Sequence, residues 1–150
     1  MRFTPLPEWA DKTAGEQYVI ASRTVIAGGT VAFFGSLLPF MSSSAPELYQ
    51  LNSAPQDTAT FFGIVLAVIG CIMLAGFART RMIPGIVTLF AAVLTELTLL
   101  GVILSGIAGT DMSDGFGDSL HVTQSPHIGI ILSMLGCAAA GIGAVLSFRR

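Results

Sequence analysis

The sequence predicts an all-α membrane protein, a bundle of four transmembrane helices with both termini in the cytoplasm. Three observations predict it: four apolar runs of spanning length, a composition poor in charge, and basic residues confined to one side of the runs. The 150-residue chain is 53% apolar and 11% charged, against about 25% charged in an average soluble domain, so it needs lipid around it. Its net charge of −2 leaves no basic footprint for nucleic acid. Partners are expected in or beside the bilayer: lipid, other membrane-protein subunits, or further copies of the chain.

Apolar runs near 24–41, 59–78, 83–108 and 126–148 each approach the roughly 17 to 25 residues that cross a hydrocarbon layer as a helix. Residues 1–23 form a cytoplasmic N-terminal segment with the interfacial start of helix 1, 24–148 the four-helix domain, and 149–150 the cytoplasmic C-terminus. The opening stretch holds Glu8, Asp11, Lys12 and Glu16, too acidic for the n-region of a secretory signal, and the first helix is expected to stay in the mature protein. Thr13 to Glu16 reads T-x-x-E, a capping box that would start helix 1. Asp57 is placed to cap the second helix, Pro84 suits the first turn of the third, and Ser125-Pro126 gives the fourth a cap followed by proline.

Arg2, Lys12 and Arg23 precede the first span, Arg79 and Arg81 lie in the second loop, and Arg149 and Arg150 end the chain, all on one side. The outer loops, 42–58 and 109–125, contain no Lys or Arg but carry Glu47, Asp57, Asp111, Asp114 and Asp118. The positive-inside rule therefore puts both termini in the cytoplasm. The few residues between the second and third spans predict an antiparallel hairpin there.

Lipid gives helices no hydrophobic drive to associate, so close approach at small residues is the expected glue. In the fourth span Gly129, Ser133, Cys137 and Gly141 recur every four residues, and in the first Gly28, Ala32 and Ser36 repeat the theme. The third span has a seam of Thr88, Ala91, Thr95, Thr98, Val102, Ser105 and Gly109, which is assigned to the bundle interior. Cys71 and Cys137 fall in apolar runs and are read as small hydrophobes.

Glu96 is the one acidic or basic residue deep in a span. A charge there costs a few kcal/mol, which the fourteen Leu, Ile, Val and Phe residues of the run outweigh at about 0.3 to 0.6 kcal/mol each. It points roughly 130° away from the hydroxylated seam, on a face shared with Gly85, Leu89, Ala92, Leu99 and Ile103. It is thus expected to meet another helix or another subunit. With no basic partner at its depth, a protonated carboxyl would donate a hydrogen bond, and an ionised one would require water or a cation. Two readings of it stand: a proton- or cation-responsive group, and a neutral acid that fixes helix register.

Asp111, Asp114, Asp118, His121 and His127 could converge on a cation in the second outer loop, but their spacing fits neither a calcium loop nor a zinc signature, and a solvated acidic loop accounts for them. Both histidines lie at the outer edge, which disfavours a two-helix haem site. There is no phosphate-binding glycine loop, nucleophile elbow or catalytic triad in a supporting context, so neither an enzyme nor a cofactor is expected.

The end of the first span, Gly35-Ser36-Leu37-Leu38-Pro39-Phe40, the basic turn Arg79-Thr80-Arg81 and the glycine-rich last span ending Leu146-Ser147-Phe148-Arg149-Arg150 resemble small four-helix membrane proteins of unknown function common in actinobacteria. Those often carry an aromatic, usually tryptophan, after the Leu-Pro step; here it is Phe40. The resemblance implies a bacterial inner-membrane protein and brings no catalytic residues with it. Small multidrug transporters are similar in size and also use a membrane glutamate, but in their first helix, so the likeness fails at Glu96. The leading expectation is a non-enzymatic accessory or assembly subunit of a larger membrane complex. The alternative is a homo-oligomeric proton- or cation-coupled transporter or channel using Glu96, and a membrane-lytic phage protein is a third.

Overall fold

The computed structural model describes residues 8–44, 54–75, 82–113 and 117–148. Four helices account for most of them: α1 (Glu8–Ser36), α2 (Ala54–Leu74), α3 (Met82–Ala108) and α4 (Ile128–Ser147). All four are long and apolar enough to cross a membrane, and the chain is an all-α four-helix bundle. Neighbours in sequence are neighbours in space, and α4 closes the ring on α1. The α1–α4 and α1–α2 contacts are the most extensive, α3–α4 is lesser, and α2–α3 is the slightest of the four.

The distribution of side chains follows from lipid as solvent. Large apolar residues face outward, Phe34, Phe61, Phe90 and Leu97 among them, with Phe90 71% exposed. The interior combines small residues, Ala32, Ala91, Cys137, Ala140, Ser133 and Thr95, with a few large ones, Leu66, Met73, Leu99 and Ile130. A water-soluble bundle would put its large residues inside, whereas a bundle in lipid gains most by letting backbones approach at small ones.

Several ends differ from the sequence expectations. Helix α1 already runs from Glu8, so Thr13 lies within it and the T-x-x-E does not start it; Ala10, Ala14 and Glu16 are good helix formers that carry the helix ahead of the membrane. The same helix stops at Ser36, not Met41, because Pro39 disfavours helical backbone at Leu38. The last turn tightens instead, with the Leu37 and Leu38 amides donating to the Phe34 and Gly35 carbonyls. Asp57 is in the first turn of α2 rather than at its cap, where its charge still suits the helix dipole.

The segments that follow α1 and α3 contain strands where the sequence predicts loops. Strand β1 (Met41–Ser43) pairs antiparallel with β4 (Gln124–Pro126), and β2 (Thr110–Ser113) pairs with β3 (Ser119–Val122). Ser125 and Pro126 therefore belong to β4, and His127 is the N-cap of α4 without a side-chain capping bond. The Ser125 hydroxyl is within 2.7 Å of the Ser42 hydroxyl. At the start of α4, the His127 amide donates to the Phe40 carbonyl at 2.8 Å and the Gly129 amide to the Pro39 carbonyl at 3.0 Å. These bonds satisfy amides that a side-chain cap would otherwise serve. Phe40 itself is buried in a cluster with Ala59, Leu99 and Ile130, so the Leu-Pro-Phe step both ends α1 and plugs the strand-capped end of the bundle.

The exit of α1 is clasped by α2. Gln56 Nε2 donates to the Ser36 carbonyl at 2.5 Å, and the Thr60 hydroxyl shares its proton between Ser36 Oγ at 2.7 Å and the Gln56 carbonyl at 2.9 Å. Gln56→Ala or Thr60→Val is expected to cost about 1 to 2 kcal/mol, the value of a side-chain hydrogen bond shielded from water. Thermal unfolding of the detergent-solubilised protein measures it.

Candidate functional site

Glu96 on α3 lies against α4 beside Cys137, where the Ala138 backbone amide is placed to hydrogen-bond its carboxylate. Cys137 is fully buried. Glu96 Oε1 is buried and has no hydrogen-bond partner among the described residues. An orphaned carboxyl oxygen in an apolar seam costs about 1 to 3 kcal/mol, so packing alone does not account for a glutamate here.

The hydroxylated seam of α3 splits. Thr88, Ala91 and Thr95 are buried, but Thr98 and Ser105 face outward, and Ala92, Leu99 and Gly106 take the inner face. This corrects the interior assignment of Thr98. A membrane helix satisfies its own hydroxyls: Thr98 Oγ1 donates to the Leu94 carbonyl at 2.8 Å and Ser105 Oγ to Val102 at 3.0 Å. With that bond made, neither hydroxyl needs the interior.

The other small residues gather between α1 and its two neighbours. A Cβ on Gly28 would lie 2.5 Å from the Ala140 amide nitrogen and the Gly136 carbonyl oxygen, and one on Gly136 would lie 2.4 Å from the Ala32 nitrogen. Gly35 faces Ser133, and Gly129 faces the Leu38 and Pro39 carbonyls. Ser133 Oγ donates to the Ala32 carbonyl at 3.0 Å, while Ser36 is buried in the clasp described above. Gly29 and Gly63 make the same kind of backbone contact between α1 and α2. Gly141 lies apart, toward α3, its nearest such neighbour being the Ala92 Cβ at 3.6 Å.

Of the five candidate cation ligands, Asp111 and His121 are brought together, directly opposite in the β2–β3 pairing with His121 Nδ1 2.7 Å from Asp111 Oδ1. The His121 ring lies over Gly109, where a Cβ would meet Nε2 at 2.6 Å and where φ of +74° already favours glycine. Asp118 and His127 are exposed, and Asp114 lies outside the described residues, as do Arg79 and Arg81. No group of three or more His, Cys, Asp or Glu side chains able to hold a metal occurs among the described residues. The alternation of Ser119-Leu120-His121-Val122 after Gly115 and Gly117 is the signal that could have revealed the hairpin.

The described residues also line cavities. A polar one of about 80 Å³ at the C-terminal end of α3 is lined by Ser105, Gly106, Gly109, Thr110, Val122 and Gln124. An open apolar depression of about 380 Å³ runs along α2 at Ala67, Val68, Cys71, Ile72 and Ala75. The chain was compared with protein families, curated proteins and solved structures, and it matches none.

Proposed function

We propose that the chain is a non-enzymatic accessory or assembly subunit of a larger membrane complex, seated in a bacterial inner membrane with both termini in the cytoplasm. The observation that carries this reading is the paired-strand cap. Strands β1 and β4 join the outer ends of α1 and α4, and the β2–β3 hairpin follows α3. A fixed platform of this kind suits docking, because little conformational entropy is lost when a partner binds a surface that is already ordered. The exposed Leu120, among exposed Ser119, His121 and Thr123, gives it an apolar anchor in a polar setting. The orientation rests on the one-sided Lys and Arg distribution, and the bacterial setting on the resemblance of the Leu-Pro-Phe step and the basic turn.

A photo-crosslinking side chain at Leu120 tests the reading in native membranes. The expected result is one adduct of discrete mass with another membrane protein, absent when the crosslinker is moved to lipid-facing Phe90. Adducts only with further copies of the chain would contradict it and favour the second reading, a homo-oligomeric proton- or cation-coupled transporter. The unpartnered Glu96 Oε1 is the observation that supports that second reading.

A further inference from the structure

Helix α1 touches both α2 and α4 backbone to backbone, whereas the glycines of α3 meet side chains or nothing. A Cβ added at Gly28, Gly29, Gly63 or Gly136 would fall 2.4 to 2.7 Å from a backbone atom of the facing helix. On α3 the picture changes: Gly101 has nothing within 4 Å, Gly85 faces the Ser147 and Phe148 side chains, and the Gly106 site comes nearest Met41 Cε. Gly141 reaches across from α4 only to the Ala92 Cβ. A seam of side chains can part while three helices in backbone contact hold, since packed interfaces switch between discrete arrangements and do not stretch.

Glu96 projects into that one yielding seam. The titratable group facing it from α4 is Cys137. Cys71, on α2, is exposed on the outer surface, and α3 carries no other acidic or basic side chain. The remaining charged side chains whose surroundings are described, Glu16, Arg23, Asp57, Asp111 and Asp118, lie toward the ends of the bundle. Among the described residues no cationic side chain lies at this depth, and one backbone amide, that of Ala138, does not replace the hydration of a carboxylate, so an ionised Glu96 has to draw water to itself. The welded helices leave α3 as the element that can move to admit it.

We propose that Glu96 is a proton-binding site whose occupancy sets the position of α3. With the carboxyl protonated, α3 docks on α4 as seen here; when the proton passes to water entering the seam, α3 separates from α4 around the carboxylate. This goes beyond the accessory-subunit reading and does not depend on which partner the platform meets.

Spin labels at Leu97→Cys on α3 and Ile142→Cys on α4, both positions about 60% exposed, report the seam in a Cys71→Ser background, Cys137 being fully buried. Pulsed electron spin resonance in lipid nanodiscs should give one narrow distance at about pH 5. At about pH 9 it should give a longer, broader distribution, shifted by about 2 Å or more, the scale of helix displacements. Glu96→Gln should hold the short distance at both. Identical distributions at the two pH values, or the same shift in Glu96→Gln, would overturn the proposal. The unsubstituted protein gives a variant-free measurement. Dicyclohexylcarbodiimide adds to a protonated carboxyl to form an N-acylurea that retains the whole reagent mass, so modification of Glu96 should be strong at the lower pH and fall at the higher. A Glu96 that stays unmodified at the lower pH would also overturn it.

Discussion

Gly136→Ala is expected to cost the bundle about 3 kcal/mol or more, the upper end of overpacking penalties. The added methyl would lie 2.4 Å from the Ala32 nitrogen and 2.6 Å from the Gly28 carbonyl oxygen. Both are backbone atoms, so no rotamer change relieves the clash, and α1 must move off α4 along their shared face. The buried bond from Ser133 Oγ to the Ala32 carbonyl lies on that face and would be strained with it. Gly101→Ala is the matched control. Nothing lies within 4 Å of its Cβ position, and the exchange of glycine for alanine inside a helix stabilises by about 0.5 to 1 kcal/mol. Thermal unfolding of both variants in the same detergent should therefore move in opposite directions. Equal effects would mean that close backbone approach does not hold this bundle.

Glu96→Leu should make the protein more stable while removing its response to pH. The substitution eliminates a buried oxygen without a partner, worth about 1 to 3 kcal/mol, and places in the span a residue that insertion favours by about 0.3 to 0.6 kcal/mol instead of one that opposes it. A purely structural glutamate predicts the reverse, because its loss would take away a bond that fixes α3 on α4. Chemical unfolding of the variant beside the parent protein decides the sign. A stabilised, pH-insensitive variant would mark Glu96 as kept for what it does rather than for what it holds.

The four spans could be read from the sequence because long apolar runs in lipid have one way to satisfy their backbone. Their ends could not, since the amides at the start of α4 are served by the Pro39 and Phe40 carbonyls, about ninety residues earlier in the chain. The β1–β4 pairing escaped for the same reason: Met41 and Pro126 are partners that no local pattern connects. Gly28, Ala32, Gly129 and Ser133 were legible as a packing set through their four-residue spacing, but which helices they join was not. The spacing of the α3 seam does not place Thr98, because its hydroxyl is satisfied by the Leu94 carbonyl of its own helix and can face outward. Glu96 stood out by its chemistry, and its meeting with Cys137 and Ala138 depended on how α3 is turned toward α4, which periodicity gave only to within about one face.

Docking of a partner on the paired-strand platform, as proposed, is read out by purifying the tagged protein from its native membrane in mild detergent and measuring the mass and composition of the particle. One larger complex is expected, in which this chain is stoichiometric and which dissociates when Leu120 is replaced by Asp. A particle made of this chain alone, unchanged by Leu120→Asp, would contradict it.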